Sequence, residues 1–355
     1  VSPAARRTSL AEFILRESSR ALNGSFLVIG IDASPLMHRV QVSVHSAHKY
    51  GASFSNTGKN AEQALLFKVL ASMARFPDVT FVFVFDGPHR PAEKRGQHVV
   101  SHRPWIEDDF RRLVAAFGFH NHTAPGEAEA ELAHLSQCGL LDAVITVDSD
   151  VLVFGANNII RYEFKDLING PHECEIYTPS DLALCDGRTF TTASFVLIAL
   201  LIGGDYDEIG LKDCGLATAS ALSTTPLAHD LYDAAAHGQS ELHLESFLVT
   251  WRQRLRRILE YNEGNILTRS NISASRNIGD SFPSPEIVRL YVQPCTSSSV
   301  REFSPSPNTW HTRPPDVGHI VQLAWKLFDW RSPLDVGRKY IWEGYIARQL
   351  SLVCL

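Results

Sequence analysis

Asp142 to Gly155 reads DAVITVDSDVLVFG, and the order of residue types in it decides the fold. Its apolar, β-branched run from Ala143 closes on Asp148, as expected of a short strand buried on both faces. Two further runs have the same form, FLVIGID from Phe26 to Asp32 and TFVFVFD from Thr80 to Asp86. Between them apolar residues recur at helical spacing, at Ala64, Leu65, Leu66, Val69, Leu70 and Met73, and again at Phe110, Leu113, Val114 and Phe117. Alternating strand and helix predicts an α/β domain with a mostly parallel central sheet flanked by helices, whose sites form beyond the carboxyl ends of the strands. The three terminal aspartates fall there.

Gly87 to Pro104 is basic, rich in histidine and broken by prolines, which predicts a surface excursion. Gly203 to Gly215 is a turn region between an apolar run, Phe195 to Ile202, and the alanine-rich Leu216 to Leu222. The apolar run is too short for a membrane span and suits a buried helix, so the three parts predict a helix, hairpin, helix unit. Trp251 to Leu259 carries Arg252, Arg254, Arg256 and Arg257 among apolar positions, an amphipathic basic helix. From about Ser281 to Pro315 the chain is rich in Ser and Pro and is expected to contain at least one extended loop, before a helical pattern at Val321 to Phe328.

The 355 residues, 45% of them hydrophobic, suffice for one large domain or two modest ones. Val1 to Leu10 has neither an initiator Met nor the charged-then-apolar pattern of a signal peptide, and reads as a fragment or processed chain rather than a secreted precursor. Cys138, Cys174, Cys185, Cys214, Cys295 and Cys354 form no CxxC and no Cys/His ligand spacing, which argues against zinc and a disulfide framework. The formal net charge of −6 opposes a nucleic-acid ligand, since phosphate is bound by Lys and Arg releasing counterions. That objection falls if the acids are gathered where bound cations neutralise them.

Seven acids suggest such a gathering: Asp32, Asp86, Glu127, Glu129, Asp148, Asp150 and Asp205, each at the edge of an element. Glu127 and Glu129 lie in APGEAEAE, where Pro125 and Gly126 mark a turn into a helix; Asp205 lies in IGGDY. Carboxylates so clustered are tolerable only around hard cations, and an all-oxygen set without His or Cys favours Mg²⁺ or Mn²⁺. Two such ions about 4 Å apart suit in-line phosphoryl displacement, hence phosphodiester hydrolysis. Residues two apart on a regular helix face different ways, so Glu127 and Glu129 must share a site through an irregular first turn, or one must act through water. Any one of these acids taken alone serves equally well as a turn former or helix cap.

In IDAS with Asp32, FVFDGPHRPAEKR with Asp86, APGEAEAELAHL, DAVITVDSDVLVFG and GGDY, in that order, the chain resembles the XPG superfamily of structure-specific 5′-nucleases. VDSD, FDGP, FPSPEIVRLYV and FDWRSP are most similar to its fungal Holliday-junction resolvase branch. The resemblance implies a PIN-like 5′-nuclease fold and division into an N-terminal part of the core (1–117, with a gateway segment at 87–104), an internal part (118–205), a helix-two-turn-helix region (206–280) and a C-terminal extension packed on the core (281–355). It further implies that the seven acids hold two Mg²⁺ ions, replaceable by Mn²⁺, and that Lys94 and Arg95, with Arg103 as a further gateway candidate, contact the scissile phosphate. The hairpin, through Gly210, Lys212 and Gly215, would hold a duplex phosphate with K⁺. The implied activity is endonucleolytic cleavage of branched double-stranded DNA, a Holliday junction or a 5′ flap, in nuclear repair and recombination, with a homodimer on four-way junctions. A flap endonuclease or 5′ exonuclease on the same core, or a weakly active or inactive DNA-binding scaffold, are the alternatives.

The chain departs from the pattern in two places. The family's opening MGxxxLW segment is absent, and GLKDCGLATA puts Asp213 in the hairpin with Leu216 and Ala217 where a basic residue is usual. A carboxylate facing phosphate repels it, so Asp213→Gly is expected to tighten duplex binding. The spacing of His38, His45 and His48 suits a half-exposed helix or loop as well as any ligand set, and metal binding is not expected of them; Trp105 is expected to anchor the start of a helix in the core, with base stacking the alternative.

Overall fold

The computed structural model describes residues 5–20, 26–49, 60–94, 96–98, 103–162, 173–183, 189–238, 241–306, 309–330 and 332–344. Arg95, Cys185 and Cys354 lie outside them, as does the side chain of His48. Nine strands are described: β1 (Arg6–Ser9), β2 (Leu27–Asp32), β3 (Val79–Phe85), β4 (Glu93–Lys94), β5 (Gln97–His98), β6 (His120–Thr123), β7 (Ala143–Ile145), β8 (Ile159–Tyr162) and β9 (Glu173–Tyr177). Seven form one sheet in the order β1-β9-β8-β7-β2-β3-β6, and β4 and β5 make a separate hairpin in the gateway segment. From β8 to β6 every neighbouring pair is parallel; β9 and β1 add an antiparallel edge.

The two-residue repeat of a strand divides the interior in two. Phe81, Phe83 and Phe85 of β3 face one core together with Ile29, Ile31, Ala143, Ile145 and Ile160, whereas Val82, Val84, Val144 and Ile159 face the other. Neither face meets water, which is why β2, β3 and β7 are continuous apolar runs. The first core is covered by helices Ala33–Lys49, Ala61–Met73, Glu107–Ala116 and Val317–Phe328, the second by Ala128–Gln137, Thr192–Ile202, Leu216–Ser223, Pro226–His237, Glu241–Tyr261 and Pro285–Val292. The C-terminal segment therefore packs on both sides of the sheet. Its Phe328, Trp330 and Tyr340 surround Phe67 edge-on, with ring centroids 5.4 to 5.7 Å away.

Two expectations change in the folded chain. Trp105 is not a core anchor: it is 61% exposed, and the neighbouring Ile106 fills the interior instead. Arg252 is not on a solvated helix face; it is buried and its Nε donates to the Phe282 carbonyl at 2.6 Å, while Arg256 donates to the Ile278 carbonyl at 2.6 Å. The Ser/Pro-rich stretch contains extended segments as expected and also a helix, Pro285–Val292, started by a proline whose missing N–H costs nothing at that position. Among the described cysteines all are free, and burial pushes the Cys174 thiol up to about 12 and that of Cys214 to about 11.

Candidate metal centre

β2 ends at Asp32, β3 passes directly into Asp86, and β7 leads through Thr146 and Val147 to Asp148. β2 lies between β3 and β7, at the point where the strand order reverses, so the three aspartates share the crevice such a reversal opens. Helix starts deliver the others. Glu127 precedes helix Ala128–Gln137 with an extended backbone (φ −82°, ψ 140°), and Glu129 lies in its first turn. The change of conformation between them brings both side chains to one ammonium, which a regular helix would prevent. Asp150 opens a one-turn helix, Asp150–Val153, and Asp205 sits in the turn after Thr192–Ile202.

Asp32, Asp86, Glu127, Glu129, Asp148 and Asp205 line a single cavity of about 910 Å³. Asp150 joins them from below: carboxylate oxygens of Glu129, Asp150 and Asp205 all lie within 4.8 Å of one another. Lys94 reaches into this group, its Nζ 2.8 Å from Glu127 Oε1, 2.5 Å from Glu129 Oε1 and 2.8 Å from Asp205 Oδ2. Asp86 accepts the Ala128 amide at 2.9 Å on Oδ1 and the Ser34 hydroxyl at 2.9 Å on Oδ2, with Arg90 3.3 Å away. Asp32 accepts the Ser34 amide at 3.1 Å, Asp148 the Asp150 amide at 3.1 Å, and the Tyr206 hydroxyl donates to Glu127 Oε2.

One lysine and one arginine cannot neutralise seven carboxylates, and the imbalance appears as proton affinity. Burial, then repulsion from Asp86, raises Asp32 well above the carboxylate range. Burial likewise raises Glu129, although Lys94 pulls it down. Burial with repulsion from Asp205 and Asp148 pushes Asp150 up to about 7. Burial works against the charge on Lys94, but Glu129 and Glu127 outweigh it and hold the ammonium far above the usual lysine range. The cluster thus demands positive charge, and the Lys94 ammonium stands where a cation would. An oxygen-only donor set around it fits Mg²⁺ or Mn²⁺.

All seven predicted acids come together, and Lys94 comes with them. Arg103 does not: it is largely exposed beside Glu107, 3.9 Å away, and does not line the cavity. Ser34, Arg90, Tyr206 and Glu208 contribute without having been anticipated; His38 also lines the rim, while His45 is exposed. Ser34 and Tyr206 had a signal, since each adjoins an acid in IDAS and GGDY. Buried polar residues beside a predicted ligand are the ones that orient it.

In the hairpin, Gly203 (φ +89°) and Gly210 (φ +58°) adopt backbone angles that favour glycine, and a Cβ on Gly210 would lie 2.4 Å from the Gly203 nitrogen. Lys212 is exposed, and Gly215 starts helix Leu216–Ser223 without a side-chain cap. Asp213 is also left-handed, at φ +65°. Its carboxylate is not simply open to a ligand: it accepts Ser273 Oγ at 2.5 Å and Asn277 Nδ2 at 2.8 Å, and these bonds lower its pKa. Asp213 therefore pins the hairpin to helix Ile272–Arg276. Asp213→Ala loses the pin and keeps the left-handed strain, whereas Asp213→Gly loses only the pin; thermal melts are expected to rank Asp213→Ala below Asp213→Gly.

Residues 118–205 match the family model for the XPG I-region. A probable flap endonuclease 1 homologue of Danio rerio is 32% identical over 192 residues, half of this chain and 52% of that protein. The DNA repair protein RAD2 of Saccharomyces cerevisiae is 28% identical over 187 residues, 52% of this chain but 16% of that protein. The chain thus spans about half or less of the length of these relatives. Among solved structures, the Holliday junction-resolving enzyme GEN1 in complex with product DNA and Mg²⁺ superposes with a TM-score of 0.74 at 24% identity, over 99% of this chain and 78% of that one. The catalytic core of Rad2 in complex with DNA substrate gives 0.61 at 21% identity, over 96% and 97%. Both share this fold. The matched I-region runs from β6 to Asp205 and carries five of the seven clustered acids, so over these residues the chain has the internal region of the XPG-type nucleases.

Proposed function

We propose that this chain is a divalent-metal-dependent, structure-selective endonuclease that incises branched double-stranded DNA, a Holliday junction or a 5′ flap, during nuclear repair or recombination. The observation that carries the reading is the convergence of seven carboxylates, six lining one open cavity and Asp150 grouped with Glu129 and Asp205, with a lysine ammonium among them. Asp32, Asp86, Glu127, Glu129, Asp148, Asp150 and Asp205 would hold two Mg²⁺ or Mn²⁺ ions. Such ions supply charge stabilisation to both oxygens of an in-line phosphoryl displacement. Lys94, freed from the carboxylates by the arriving metal, would pair with the scissile phosphate, and Arg95 would assist from the adjacent position.

The hairpin would hold the duplex at Gly210, Lys212 and Gly215. The carbonyls of Leu211, Lys212 and Asp213 accept bonds from Cys214, Asn277 and Asn271, and a carbonyl can accept two, which supports the reading that the hairpin would hold K⁺. Phosphate contacts position without reading bases, so no sequence preference is proposed. The parts 1–117, 118–205, 206–280 and 281–355 follow the sequence division, and a homodimer on four-way junctions belongs to the resolvase form of the reading. The test is incubation with labelled mobile four-way junction, 5′ flap and linear duplex, in Mg²⁺ and in EDTA. Symmetric nicking of the junction supports the resolvase form, and cutting of the flap alone the flap-endonuclease form. Cutting that persists in EDTA refutes the metal mechanism, and binding without cutting leaves the scaffold alternative.

The pH behaviour follows from the raised carboxyls. Asp150 keeps its proton to about pH 7 in the folded, metal-free protein, so its contribution to stability is present in acid and lost as pH rises through that value. Metal binding displaces the proton and is favoured above it. The rise in melting temperature caused by Mg²⁺ is therefore expected to grow between about pH 6 and pH 8, and Asp150→Asn should flatten the dependence; melts with Mg²⁺ and with EDTA across that range check it.

A further inference from the structure

Glu127 is gripped from two sides, by Lys94 at 2.8 Å on Oε1 and by the Tyr206 hydroxyl on Oε2. Tyr206 directly follows Asp205, so a single short turn supplies one carboxylate to the cluster and orients another. Its ring lies against Tyr291 of helix Pro285–Val292, with centroids 4.7 Å apart and planes at 58°. Tyr291 is buried. Gly204 completes the fit: a Cβ there would lie 2.4 Å from Tyr291 Oη, so the tyrosine occupies the space a side chain would need.

We propose that Tyr206 and Tyr291 are a positioning pair for the metal centre: Tyr291 fixes the turn from the C-terminal segment, and the Tyr206 hydroxyl fixes the Glu127 carboxylate in that turn's frame. This rests on the metal reading above and adds to it a dependence on a helix remote in sequence. An ordinary phenol titrates at about 10 and is neutral at pH 7. A neutral phenol can donate to Glu127 Oε2 while Oε1 remains available to a cation. Groups that hydrogen-bond a ligating carboxylate orient it, and losing one typically costs about 10- to 100-fold in metal affinity.

The test is Mn²⁺ titration by calorimetry on the full chain without DNA, beside a thermal melt of the metal-free protein. Tyr206→Phe keeps the ring and loses the hydroxyl; it is expected to bind Mn²⁺ about tenfold more weakly while melting like the unaltered protein. Tyr291→Phe, which loses only the hydroxyl packed at Gly204, is expected to show a smaller loss in the same direction, and carries the test if Tyr206→Phe melts early. Adding Tyr206→Phe to Glu127→Ala should weaken binding no further, because the hydroxyl acts through that carboxylate. Unchanged affinity in both phenylalanine variants, or an undiminished loss in the Glu127→Ala background, overturns the proposal. Absence of any Mn²⁺ binding by the unaltered chain overturns the metal reading itself, and the positioning pair with it.

Discussion

Asp205→Asn is expected to lower the rate of DNA incision by at least ~10³-fold, equivalent to about 4 kcal/mol of transition-state stabilisation, while leaving the fold intact. The aspartate is 4% exposed and lies within reach of both Lys94 and the Glu129–Asp150 pair. Asparagine matches its size but offers one neutral oxygen, so a hard cation at this position loses charge compensation as well as geometry. Single-turnover cleavage of a labelled junction or flap, with circular dichroism of both proteins, measures the effect. A variant cutting within tenfold of the unaltered protein would place the ions elsewhere. A generally misfolded variant would betray itself in the circular dichroism, and is not expected, because removing one like charge from a crowded cluster relieves repulsion.

Lys94→Ala is expected to split two properties that normally move together. The ammonium is 2.5 to 2.8 Å from three carboxylates and half encloses the position a metal would take. Removing it removes a competitor, so the DNA-free protein should bind Mn²⁺ more tightly, by about tenfold for each 1.4 kcal/mol of competing interaction relieved. The same change removes the positive group proposed to meet the scissile phosphate, and incision should fall by about 10²-fold or more, as for the loss of one charge-stabilising donor. Calorimetry and single-turnover rates on one preparation measure both. Weaker metal binding in Lys94→Ala would show that the lysine supports the site rather than competing for it.

The sheet and its helices could be read in the chain because their signals are local. A strand buried on both faces must be apolar throughout, so TFVFVFD announces β3 with no knowledge of what covers it, and the helical spacing at Ala64 to Met73 does the same for the helix beside it. Trp105 shows where that logic ends. Its size suggested burial, but the turn before helix Glu107–Ala116 points Ile106 inward instead, a matter of one backbone step that composition does not carry. The arginines of helix Glu241–Tyr261 were legible as a basic stripe; that Arg252 and Arg256 are engaged with the carbonyls of Phe282 and Ile278 was not.

At the site, the seven acids were legible as a set rather than singly: any one could form a turn or cap a helix, but five motifs, three of them at strand ends, carry them in the order that the resemblance implies. Their meeting was not: it depends on β2 lying between β3 and β7, which hydrogen bonding between distant strands decides. Nor could the chain alone disclose that Lys94 sits among the carboxylates rather than outside them, that Asp213 holds the hairpin to Ser273 and Asn277, or that Tyr291 closes over Gly204 to hold Tyr206 beneath Glu127. Residue chemistry and periodicity are properties of neighbours along the backbone and survive in a linear text. Charge balance, hydrogen-bond partners and proton affinity are properties of neighbours in space, and exist only once packing has brought remote segments together.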